Sequence, residues 1–220
     1  MNRPCPLTVD SSLSDNGRNW AEAAAGYART FSRTKLNNGE PGFEYAAVTL
    51  LAGDVAAYRK ICEDLVERSG TQQIRPFHVA RACTLAPNSV KDLAALEEKA
   101  NSELKRSSAY WSLTQQGALA YRAGRFDEAA DLFERSLKSD NRPGIAILNW
   151  LWLSMVETRR RNPQEARTWY DKASNWMEQT SNGTAAYRQN VNRDVDGLHL
   201  HNWLEALILR REAKTLMGQK

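Results

Sequence analysis

The run Leu113-Thr114-Gln115-Gln116-Gly117-Ala118-Leu119-Ala120-Tyr121-Arg122-Ala123-Gly124-Arg125-Phe126-Asp127-Glu128-Ala129-Ala130-Asp131-Leu132-Phe133-Glu134-Arg135-Ser136-Leu137 decides the fold. Apolar and small residues recur in steps of three and four on both sides of Gly124, which marks two short helices joined by a tight turn. Gly117 on the first helix and Ala129 on the second are small enough to let two backbones approach closely. Tyr121 and Phe133 fill the space beside that contact. A pair built this way reads as a scaffold and not as a reaction centre.

The same device returns downstream. In Trp150-Leu151-Trp152-Leu153-Ser154, Asn162-Pro163-Gln164-Glu165-Ala166, Trp169-Tyr170 and Ala173, small residues (Ser154, Ala166, Ala173) and aromatics (Trp150, Tyr170) fall at matching places, and Ala166 follows Ala129 by 37 residues. Upstream, Leu50-Leu51-Ala52-Gly53-Asp54 is backed by Tyr58, Cys62 and Leu65, and 71 residues separate Gly53 from Gly124. Helix–turn–helix units repeating every 34 to about 37 residues mark tetratricopeptide (TPR) arrays, in which each pair buries its apolar face only by stacking on its neighbours. The expected fold is all-α: a TPR-like right-handed superhelix of antiparallel helix pairs, an α-solenoid, with a C-terminal capping helix.

Residues 1–15 read as a flexible leader and 16–217 as a single helical-repeat domain of about four units. A helix from Gly17 carries Trp20, Ala23, Ala24, Tyr27 and Phe31 on one face. It resembles the second half of a pair and is expected to dock on the next helix. Its uncovered side is expected to be an apolar patch that a missing domain or a second copy of the chain would cover, giving a homodimer through the N-terminal helix. The first full unit pairs about Phe43–Ala52 with about Asp54–Arg68. The second, about Pro76–Leu85 with Val90–Lys105, is irregular in register. The third covers about 108–139 and the fourth about 145–179, where Asn162 caps a helix that opens on Pro163. A polar loop is expected near 180–198, and the final helix, about Leu200–Met217, should close the stack.

Hydrophobic residues at 42% and charged residues at 25% are ordinary for a globular chain. The longest apolar stretch, Ile145 to Val156, falls well short of the roughly 20 residues a membrane span needs. Thirty basic residues against 26 acidic ones give a net charge of +4, mixed along the chain without the compact basic stripe of a nucleic-acid binder. The cysteines Cys5, Cys62 and Cys83 are odd in number and widely spaced, and no secretory signal opens the sequence; both point to reduced thiols and a cytoplasmic location.

No phosphate-binding glycine loop, zinc-protease helix or nucleophile elbow occurs, so no enzyme activity and no cofactor are expected. His199 and His201, two apart on a helix, should diverge by about 200°, so no metal site is expected beside Asp194 and Asp196. Arg159-Arg160-Arg161 complements a helix C-terminus. Of the seven tryptophans, Trp150 reads as a core anchor. Trp111 and Trp152, with Leu151 and Met155, lie off the small-residue contact surface on first helices, which line the concave face. Together with Tyr121 and Arg122 they form the candidate peptide groove.

Five motifs carry a resemblance: Leu51-Ala52-Gly53-Asp54-Val55-Ala56-Ala57-Tyr58-Arg59; Val79-Ala80-Arg81-Ala82-Cys83-Thr84-Leu85-Ala86-Pro87; Tyr121-Arg122-Ala123-Gly124-Arg125-Phe126; Asn149-Trp150-Leu151-Trp152-Leu153-Ser154-Met155; and Trp203-Leu204-Glu205 with Leu209-Arg210-Arg211-Glu212-Ala213. In these the chain resembles the TPR-like C-terminal repeat regions of planctomycete-type bacterial serine/threonine kinases and WD40-repeat proteins. The resemblance implies a non-enzymatic scaffold that binds a protein or peptide partner, a kinase or WD40 domain among the candidates. It equally implies a regulatory or assembly tail with no ligand of its own. The lysine, asparagine and arginine set by which some TPR domains clamp a C-terminal carboxylate is missing.

Overall fold

The computed structural model describes residues 18–33, 39–69, 74–182 and 199–218. Ten helices and no strand occur among them: α1 (Arg18–Arg33), α2 (Gly39–Leu51), α3 (Val55–Ser69), α4 (Pro76–Cys83), α5 (Leu93–Leu104), α6 (Tyr110–Arg122), α7 (Phe126–Ser139), α8 (Pro143–Arg159), α9 (Pro163–Asn182) and α10 (Leu200–Leu216). The expected leader lies outside the described residues. So does most of the expected loop near 180–198, except that α9 runs on to Asn182.

The repetition read from the sequence is written in the turns. After α2, α6 and α8 the chain closes with the same pair of bonds. Gly53, Gly124 and Arg161 donate their N–H to the carbonyls of Leu50, Tyr121 and Thr158, and the next residue reaches five back, to Thr49, Ala120 and Glu157. This closure requires a left-handed residue, and φ is +87° at Gly53, +80° at Gly124 and +65° at Arg161. The turn leaves α2 on α3, α6 on α7 and α8 on α9 as packed neighbours. Asn162 opens α9 through its carbonyl, which accepts from Ala166; its side chain donates to Glu157.

The pair α4–α5 departs from the pattern. α4 is only eight residues long, with Pro76 in its first turn. The Tyr58 hydroxyl of α3 donates to the Ala82 carbonyl at 2.9 Å and accepts from the Ala86 N–H, pinning the end of α4 from outside. Beneath it the buried Cys62 and Cys83 are free thiols, Cys62 Sγ donating to the Ala82 carbonyl at 3.9 Å; a hydrogen bond with Cys62 and burial push the Cys83 thiol well up, so it stays protonated.

The close approach in the third pair is real. A Cβ on Gly117 would lie 2.6 Å from the Phe133 ring, which itself lies flat on Trp152, with centroids 5.8 Å apart and planes at 8°. That ring has nowhere to retreat. Gly117→Ala is therefore expected to lower stability by about 1–3 kcal/mol despite alanine's better helix propensity. A urea midpoint equal to or above wild type would show that the helices can part freely. Beside this contact Thr114, Ser136 and Asn149 bond to one another at 2.8–3.0 Å, tying α6, α7 and α8 in one register.

α1 docks on α2 as expected, with Tyr27 donating to Glu44 at 2.6 Å and stacking on Tyr45. Among the described residues of its outer side, the exposed ones are Ala21, Glu22, Ala25, Arg29 and Thr30, none of them a large apolar side chain. Among the described residues no helix is long and apolar enough to cross a membrane.

α10 does more than close one end. It packs on α8 and α9 as a cap would, and it also packs on α2. Trp203, Ala206, Leu209 and Ala213 join the apolar cluster of α6–α9, whereas Leu204 and Ile208, on its other side, join the cluster of α1–α5. Ion pairs and a hydrogen bond hold it at intervals. Arg81 of α4 meets Glu205 at 2.7 Å, Arg122 of α6 meets Glu212 at 2.5 Å, and Arg211 donates to the Leu51 carbonyl at 3.0 Å. The helix thus packs on α2 and α8 and is tied by ion pairs to α4 and α6, so it touches the first member of each of the four pairs.

Candidate functional site

Burial divides the residues expected to line a groove. Leu151, Trp152 and Met155 have no accessible surface at all. Trp152 is enclosed by Phe133, by Tyr121 at 5.2 Å and by the Arg122 guanidinium 5.0 Å from its ring centroid. The expectation that it is partly accessible is corrected: it is a core residue, as is Trp150. Tyr121 is buried beside it. Arg122 is a cross-tie, donating to the Thr84 and Leu85 carbonyls at 2.8 and 3.1 Å while its other edge is bidentate to Glu212. Only 5% of its side chain is accessible, so it has nothing to offer a peptide.

Trp111 is different. It remains partly exposed and lines a pocket of about 340 Å³ at the start of α10. Phe43 of α2, Phe77, His78 and Arg81 of α4, Tyr110, Thr114 and Gln115 of α6, Ile145 and Leu148 of α8, and His199, His201, Asn202 and Glu205 at the start of α10 complete the wall, with Arg75 at the rim. Short α4 matters here: ending at Cys83, it turns Phe77, His78 and Arg81 toward α10 while its other side packs on α2 and α5.

All three histidines of the chain line this pocket. His199 and His201 do not diverge as expected. Their rings stack 5.0 Å apart with planes at 14°, because His199 precedes α10 with extended backbone (φ −100°, ψ 154°) instead of lying on the helix. Even so, among the described residues no group of three or more His, Cys, Asp or Glu side chains is arranged to hold a metal ion.

Each charge at the pocket has a partner. The Arg81 Nε and Nη2 lie 2.8 and 2.7 Å from one Glu205 oxygen, and Nη2 also donates to Asn202 Oδ1 at 2.7 Å. Arg81 covers the Phe43 ring at 4.6 Å. Arg75 pairs with Glu103 and lies over Phe77 and Trp111 at 5.7 and 5.6 Å. Phe77 and Trp111 meet edge to face at 5.0 Å.

Burial first, then the positive charge of Arg81 and the neighbouring His199 and His78, holds the His201 imidazole neutral down to about 2. In the unfolded chain it takes its proton near 6.5. Between these values the unfolded state binds a proton that the folded state refuses, so stability falls as pH drops below the unfolded value. For a partly buried ring the expected loss is about 1 kcal/mol over the first pH unit. His201→Asn should flatten that limb of a urea stability curve; an unchanged slope would mean that His201 is protonated in the fold.

Sequence reasoning found Trp111 but missed Phe77, Gln115, Arg81 and Glu205. The last two are joined across 124 residues of chain. A buried glutamate among the apolar residues of α10 was the available signal, since such a group needs a cation. The chain matches no family model, no curated protein and no solved structure.

Proposed function

We propose that the chain is a non-enzymatic protein-interaction scaffold that takes a segment of a partner protein at the pocket between α4, α6 and the start of α10. What supports this most is the partial exposure of Trp111 beside Phe77, two large rings held edge to face at an opening of about 340 Å³. That volume is near the lower end of the roughly 300–1,000 Å³ of ligand pockets, enough for an anchoring side chain and not for a long strand. Catalysis fits the same walls poorly. The Thr114 hydroxyl is engaged by Ser136 and Asn149, Glu205 is paired with Arg81, and a histidine held neutral to about 2 is a feeble base.

The test is a photo-crosslinking amino acid, p-benzoylphenylalanine, placed at Trp111 and, as a control, at exposed Val55. A discrete adduct in native extract from position 111 and not from 55, lost when Phe77 is also replaced by alanine, is the expected result. Equal labelling from both positions would sink the reading.

A second reading is favoured by the burial of Leu151, Trp152 and Met155, which leaves these three residues nothing to offer a ligand. On that reading the chain is a regulatory or assembly tail of a serine/threonine kinase or WD40 protein with no independent ligand, and position 111 yields no adduct.

A further inference from the structure

We infer that the pocket is a receptor for one uncharged aromatic ring bearing an N–H or O–H donor, the indole or phenol of a tryptophan or tyrosine in the partner segment. The inference rests on the reading proposed above and names the partner's anchor.

Three observations converge. The first is the wall of rings. Phe77 stands edge-on to Trp111 and to His78, at 5.0 and 5.1 Å, while His199 and His201 present a stacked pair from the start of α10. Aromatic groups gain most from offset and edge-to-face neighbours of this kind.

The second is charge. Arg81 is neutralised by Glu205, Arg75 by Glu103, and His201 is neutral. A carboxylate or ammonium entering beside Arg81 or Arg75 would leave water and find each already paired, which is unfavourable. A neutral ring meets no such penalty.

The third is Gln115, nine-tenths buried and part of the pocket wall. Its Nε2 donates to Thr84 Oγ1 at 3.1 Å, and that hydroxyl spends its own proton on the Arg81 carbonyl at 3.2 Å. The orientation of the amide is thereby fixed, and no described residue donates to its Oε1, which keeps access to the water of the pocket. A ligand that displaced that water without bringing a donor would leave the acceptor unpaired, so the pocket favours a ligand that brings one. Indole and phenol bring one donor on an otherwise apolar plate; a phenylalanine ring does not.

The experiment is a titration of the ¹⁵N-labelled full chain, followed by amide chemical shifts, with N-acetyltryptophanamide, N-acetyltyrosinamide, N-acetylphenylalaninamide, the 1-methylindole analogue of the first, indole-3-acetate and free indole. The capped tryptophan and tyrosine are expected to bind with Kd of about 0.1–1 mM, ordinary for a fragment of this size. Shifts should be confined to α4, the first half of α6 and the start of α10. The methylated indole and the phenylalanine amide should bind about five- to tenfold more weakly, the worth of one hydrogen bond. Trp111→Ala should weaken binding at least tenfold. Gln115→Leu should erase the difference between indole and methylindole; if that variant fails to fold, the two ligands compared on the wild-type protein decide the point. Equal affinity for the methylated pair overturns the inference, as does tighter binding of the indole-3-acetate anion. Free indole binding more tightly than the capped amino acid would assign the pocket to a small metabolite and overturn the partner-segment assignment. A position-111 adduct with no aromatic amide bound would remove this inference and leave the scaffold reading standing; failure of both would remove the two together.

Discussion

A chain ending at residue 198 is expected to lose its cooperative unfolding transition, not merely to fray at α8 and α9. α10 inserts Trp203, Leu204, Ile208 and Leu209 into the two apolar clusters, and each such side chain contributes about 1.5–3 kcal/mol when fully buried. Its removal also strands Arg81 and Arg122, whose side chains are 12% and 5% accessible. Breaking a buried ion pair by deleting one member costs about 3–5 kcal/mol. The combined loss of about 12–22 kcal/mol matches or exceeds the roughly 5–15 kcal/mol by which domains are usually stable. Far-UV circular dichroism on heating and binding of a hydrophobic dye would read the result, and a peptide of residues 199–218 added in trans should restore the melt. Retention of a sharp transition by the shortened chain would reduce α10 to an end cap.

Trp152→Ala is expected to lower stability by about 3–5 kcal/mol, because a fully buried indole is replaced by a cavity walled by stacked Phe133 and by Tyr121. Arg122, over the same ring, would lose its cation–π contact in addition. Trp111→Ala, at a partly exposed position, should cost markedly less. Urea unfolding of the two variants side by side is the check. The reverse order would return Trp152 to the surface, where its sequence neighbourhood first suggested it belonged.

What could be read from the sequence was local. Gly117, Ala129 and Gly124 fix a helix pair through spacings of a few residues, and the turn chemistry at Gly53 and Gly124 appears in the structure as the same two hydrogen bonds. At the equivalent place after α8 the left-handed residue is Arg161, so a search for glycine alone would not find the third turn. α4 was expected to reach Leu85 but stops at Cys83, held from outside by Tyr58. The pattern Trp203, Ala206, Leu209, Ala213 describes one face of α10 correctly. Leu204 and Ile208 on its other side are what reveal a helix covered from two directions. Those two residues alone do not say which helices provide the cover. That follows from pairs such as Arg81 with Glu205 and Arg122 with Glu212, separated by 124 and 90 residues, and no periodicity links them. The pocket was illegible for the same reason: its walls come from five helices, and His199 reaches it by standing outside the helix that its spacing from His201 assumes.

The tie between α10 and α2 also sets how the chain must acquire its shape. Open arrays grow by adding each pair to the one before, through contacts near in sequence, and so begin folding early and fast. Here the Arg211 contact with the Leu51 carbonyl spans 160 residues, and closing so long a loop slows the search. On a ribosome making about 5–20 residues per second, α2, α4 and α6 would wait on the order of ten seconds with the surfaces meant for α10 uncovered. In that interval a chaperone that shields apolar helices would find its substrate, and protein released before α10 emerges would be prone to aggregate.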